Sequence, residues 1–145
     1  MKNSLLPLIL GAMLAVTPAT AFAEDLSPGL WEITLETRVP SAEGYTLAPN
    51  RITQCLTASD ARDPSAMIGP LSTQGATGCG YTSKSYTGGN FRFAMECKGS
   101  FELKTRGDIS FSANGMNGTI TATGNLGGKT TEFENKISAR RLGNC

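Results

Sequence analysis

The chain has 145 residues, with 13 Lys and Arg against 12 Asp and Glu, four Cys and no His. That length suits one domain with a modest core, and a near-neutral charge without a basic run excludes the electrostatic footprint of a binder of nucleic acid or anionic membrane. Without His there is no Ser-His or Cys-His arrangement, and the commonest transition-metal ligand is missing.

The first residues set the expected compartment. Lys2 gives a positive start, an apolar run extends from Leu5 to Val16, and Ala21-Phe22-Ala23 has the small-residue pattern of a signal-peptidase site. The run is shorter than the roughly 20 residues of a spanning helix. Residues 1–23 are therefore expected to be a signal peptide cleaved after Ala23, and 24–145 a single periplasmic or secreted β domain. Loss of Lys2 would leave basic and acidic side chains equal in number, and no Cys follows the site to carry a lipid. No membrane insertion is expected after cleavage. In an oxidising compartment four cysteines imply two disulfides.

Beyond the cleavage site the chain reads as short strands and polar turns. The stretch "LWEITLETRV" alternates, with Trp31, Ile33 and Leu35 on one face and Glu32, Thr34 and Glu36 on the other, between Pro28-Gly29 and Pro40. "RITQCL" is a second strand. In "TASDARDP", Thr57 or Ser59 caps one short helix near residues 57 to 62, which Pro64 ends. Residues 64–78 are small and polar without a clear period and predict a loop. "CGYTSKSY", the turn "TGGN" and "FRFAMEC" predict a hairpin centred on Gly88, with Phe91, Phe93, Met95 and Cys97 on its apolar face. "SFELKT", "DISFSA", "GTITAT" and "KTTEFENKISARR" predict further strands, divided by Arg106-Gly107, Asn114-Gly115, Asn117-Gly118 and residues 125–128. The expected fold is mainly β: an antiparallel curved meander or incomplete small barrel with one short helix, stapled by disulfides.

The hairpin brings Cys79 opposite Cys97, which leaves Cys55 for Cys145. That second bridge would tie the end of the chain to "QCLT", and a loop of such length is worth roughly 4 to 5 kcal/mol in the chain-entropy model. Pairing Cys55 with Cys79 and Cys97 with Cys145 is the alternative.

Several of these stretches together resemble one family. "PGLWEITLET", "QCLT" followed by Ala58 and Asp60-Ala61, the Cys79-Gly80 pair, "GN" before an aromatic strand ending in Cys97, and the closing "RRLGNC" look like the DUF3617 family of exported bacterial proteins. The resemblance runs from Pro28 to Cys145 and includes all four family cysteines. "FRFAMEC" departs from it where many relatives carry a Trp, a change that bears on core packing. The family has no established general activity, so the resemblance implies export and disulfides and supplies no catalytic residue.

Chemistry must then come from what remains. Oxidised cysteines remove thiolate catalysis and thiolate metal sites, and there is no Cys-x-x-Cys. Glu32 with Glu36, and Glu132 with Glu134, share a strand face at period two, but it is the face opposite Trp31 and Phe133 and therefore the solvated one. Met67, Met95 and Met116 are too scattered for a soft copper site. Trp31 reads as core, with stacking on a ligand as its functional alternative. Arg140 and Arg141 point to opposite faces, so the inward one either pairs with a carboxylate or holds an anionic ligand; Arg141 and Trp31 are the candidate ligand contacts.

No cofactor, metal or catalytic residue is expected. The leading expectation is a noncatalytic binding module of the cell envelope whose partner is an envelope protein or a small apolar ligand in the concavity of the sheet. Its rivals are a carboxylate-dependent hydrolase, and a structural or inhibitory protein that acts through an exposed loop at residues 64–78.

Overall fold

Alternation at period two shapes the first strand, β1 (Gly29–Arg38): Trp31, Ile33 and Leu35 are buried while Glu36 and Arg38 are exposed. The computed structural model describes residues 26–42 and 45–145, so the signal-peptide reading and cleavage after Ala23 lie outside the described residues. β1 pairs antiparallel with β2 (Asn50–Leu56), register Ile33 to Ile52, and on its other side with the last strand, β7 (Lys129–Gly143), register Leu35 to Ile137.

Between them run β3 (Cys79–Thr87), β4 (Asn90–Cys97), β5 (Leu103–Phe111) and β6 (Gly115–Leu126), giving one antiparallel sheet of seven strands in the order β2-β1-β7-β6-β5-β4-β3. The sheet does not close; β2 and β3 are its edges. Two hairpins turn on glycine pairs, Gly88-Gly89 and Gly127-Gly128, with positive φ at both residues as a type I′ turn requires.

The chain travels from edge β2 to edge β3 through two helices. The first, α1 (Ala58–Arg62), is capped by Thr57, one of the two expected candidates, which forms a reciprocal capping box with Asp60. The second, α2 (Ser65–Ser72), corrects the expected loop at residues 64–78 and the expectation of a single helix. Its sequence hides it, because Gly69 and Pro70 are helix breakers and burial of Ser65, Met67, Ile68, Gly69, Leu71 and Ser72 leaves no polar stripe to mark a period. Met67, Ile68 and Leu71 pack into the main core with Trp31, Ile33, Phe93, Ile109 and Ile137.

Two other dividers also fall inside strands. Arg106-Gly107 lies within β5 and Asn117-Gly118 within β6. A Cβ on Gly107 would overlap the Phe93 ring, and one on Gly118 would run into the backbone of Asp108 and Ile109. These glycines admit close neighbours and make no turn. β5 is divided from β4 by residues 98–102 and from β6 by residues 112–114.

Both bridges of the sheet follow from register. Cys79 stands directly opposite Cys97 across the β3–β4 hairpin, and Cys55 is bonded to Cys145. Cys55 and Gly143 both register with Leu30, on opposite sides of β1, so the second bridge passes over β1 and ties its two neighbours together.

Candidate functional site

The inner face of the sheet carries two apolar clusters. The larger holds Trp31, Ile33, Leu35, Leu71, Phe91, Phe93 and Ile137; the smaller holds Cys97, Leu103 and Ala122, with Phe101 and Phe133 packed against it. Because α2 ends at Ser72, its side chains cover the first cluster and stop short of the second. The seam is a half-open cavity of about 220 Å³.

Strand alternation supplies its walls. Leu35 and Thr37 come from β1, Phe133 and Asn135 from β7, Ala122 and Leu126 from β6, and Leu103 from β5, all on the same face. Phe101 and the end of the helical segment, Leu71, Ser72 and Gln74, complete it, with Asn50 at the start of β2. Leu35, Leu71, Leu103 and Ala122 are buried beneath it, while Asn50 and Gln74 are exposed and Thr37 and Asn135 half-buried at its rim; among the described residues no Asp, Glu, Lys or Arg lines it. At the rim Thr37 Oγ1 donates to Asn135 Oδ1 at 2.6 Å, which fixes the Asn135 amide with its Nδ2 group left to donate elsewhere.

The residues expected to touch a ligand lie elsewhere. Trp31 is 1 % exposed in the main core, and its indole nitrogen donates to Ser27 O at 3.0 Å. Arg141 does face inward, but near the far end of β7, where it donates to Pro28 O and Asn144 Oδ1, each at 2.8 Å. Neither lines the cavity. The four strand carboxylates lie on the outer face, two of them in exposed ion pairs, Glu32 with Arg140 and Glu134 with Arg38. Sequence reasoning missed Thr37, Asn135 and Gln74. The first two continue the inward alternation of Trp31–Leu35 and Ile137–Ala139, and that is the signal that could have found them.

A second polar group sits where α2 meets β3. Lys84 Nζ lies 3.4 Å from Ser65 Oγ and over the Tyr81 ring, an arrangement that would suit a Ser-Lys nucleophile. However, the Ser65 hydroxyl donates to Asp63 Oδ1, so its proton faces a carboxylate and the amine has none to take. That hydrogen bond is the main cause holding the Asp63 carboxyl below its ordinary value. Tyr81 Oη donates to Ser65 O at 2.6 Å, and burial, followed by the negative charge of Asp63, pushes its pKa up to about 12. The cluster anchors a helix to a strand.

Among the described residues no group of three or more His, Cys, Asp or Glu is placed to hold a metal ion, and no helix is long and apolar enough to cross a membrane. The sequence model of one family, described as "Protein of unknown function (DUF3617)", matches residues 26–145. The chain belongs to the DUF3617 family. No curated protein and no solved structure matches it. The match covers every strand and both helices of the described residues, so the cavity is built from residues of the family domain.

Proposed function

We propose that this DUF3617 protein is an exported, noncatalytic binding module of the cell envelope that takes a small apolar ligand in the cavity on the inner face of its sheet. The supporting observation is the seam between the two apolar clusters: a domain this small leaves about 220 Å³ open above Leu103, Ala122 and Phe133. A concave site half open to solvent, with buried apolar side chains beneath a few polar groups, has the form of a small-ligand site. Export is supported by Lys2, the apolar run and the Ala21-Phe22-Ala23 site. The carboxylate hydrolase is the weaker reading, because Glu32, Glu36, Glu132 and Glu134 lie on the opposite face from the cavity. The loop-acting protein loses part of its loop to α2.

Native mass spectrometry of the protein, taken without refolding from the envelope of the cell that exports it, tests the reading. An added mass that disappears on denaturation is expected. A chain that carries only its two disulfides would overturn it.

A further inference from the structure

Charge decides what such a ligand can be. The rim offers Thr37, Asn50, Gln74 and Asn135, and among the described residues nothing that is ionised. Glu134 and Lys136 flank Asn135 in sequence but stand on the outer face by alternation. A carboxylate, phosphate or ammonium carried below the rim onto Leu103 and Ala122 would lose water and meet no opposite charge among the described residues, a cost that paired hydrogen bonds alone do not recover.

Volume and donors narrow the class further. The cavity, about 220 Å³, exceeds the roughly 150 Å³ that holds benzene and falls below the roughly 300 Å³ where drug-sized sites begin. One ring, or a chain of like bulk, fills it. Because Asn135 Oδ1 already accepts from Thr37, its Nδ2 group is the fixed rim donor, and it asks for an acceptor oxygen on the ligand.

Resting on the reading above, we infer that the ligand is an uncharged amphiphile of about one ring in bulk, its apolar body on Leu103, Ala122 and Phe133 and a neutral carbonyl or hydroxyl oxygen at Asn135.

The test is an amide-shift NMR titration of the exported chain, freed of any co-purified ligand, with four probes of similar shape: acetophenone, toluene, benzoate and benzylammonium. Acetophenone should give saturable shifts at Thr37, residues 71–74 and Asn135, at least tenfold tighter than benzoate or benzylammonium, with toluene between. Asn135→Asp keeps the acceptor for Thr37 but removes the donor, and should reverse the order in favour of benzylammonium. Equal binding of neutral and charged probes would overturn the inference and leave the pocket reading standing. Shifts from none of the four, together with no added mass in the native spectrum, would overturn both. The probe series in the unaltered chain decides the matter if the variant fails to fold.

Discussion

Thr105 lies on β5 between Met95 of β4 and Ala122 of β6, 1 % exposed, and its hydroxyl has no hydrogen-bond partner within the described residues. A buried hydroxyl left unpaired costs about 1–3 kcal/mol, whereas an apolar group of the same shape costs nothing of the kind. Thr105→Val keeps the β-branched shape that suits a strand and should stabilise the protein by about 1 kcal/mol. Urea unfolding followed by the fluorescence of Trp31, the chain's one Trp, reads the change. A loss of stability would show that the hydroxyl is satisfied in solution. Other single residues mislead when read from sequence. Gly107 and Gly118 look like the glycines of turns, yet they sit inside strands because Phe93 and Ile109 come too close for a Cβ. A glycine in a sequence records only a missing Cβ; whether the chain bends there or a neighbour closes in depends on strands that arrive from elsewhere.

Element by element, legibility follows how far each segment depends on distant partners. β1 and the β3–β4 hairpin carry their own signals in alternation and a Gly-Gly turn, and both were readable; the start of α1 was legible as Thr57 or Ser59, and the reciprocal bonds of Thr57 with Asp60 decide between them. α2 has no such signal, since its conformation is stabilised by burial against the sheet despite Gly69 and Pro70, and the cavity that depends on where α2 ends was hidden with it. Tyr81 is the main polar anchor of that packing, through its bond to Ser65 O and its edge-on contacts with Phe91 and Phe93. Its pKa is about 12 in the folded protein and about 10 in an unfolded chain, so the unfolded state gives up the proton first. The stabilisation due to neutral Tyr81 is therefore complete below about pH 10 and is lost as the pH rises toward 12. Tyr81→Phe should be less stable than the native chain by about 1 kcal/mol at neutral pH, and the gap should narrow through that alkaline window. Urea midpoints of the two proteins across the window check it; a constant gap would mean that Tyr81 titrates normally.

At the scale of the whole molecule, an open sheet has two edges to hold, and the bridges hold them differently. Cys79–Cys97 joins residues that strand pairing already places opposite each other, with 18 residues of separation. Cys55–Cys145 closes a separation of 90 and fastens edge strand β2 to the end of β7 across β1. In the chain-entropy model the short loop is worth about 3 kcal/mol and the long one about 5 kcal/mol. The connections point the same way: each edge strand keeps one partner, but β3 is joined to β4 by the tight Gly88-Gly89 turn, whereas residues 39–49 separate β1 from β2. Replacing Cys55 and Cys145 together by Ser should therefore lower the unfolding midpoint in urea more than replacing Cys79 and Cys97 together. It should also raise hydrogen exchange first in β2 and the last residues of β7, because those segments lose the tie between them. If the hairpin pair proved the more costly, the stability of the sheet would reside in the β3–β4 edge, and the Cys55–Cys145 bridge would serve only to hold the residues that follow β7.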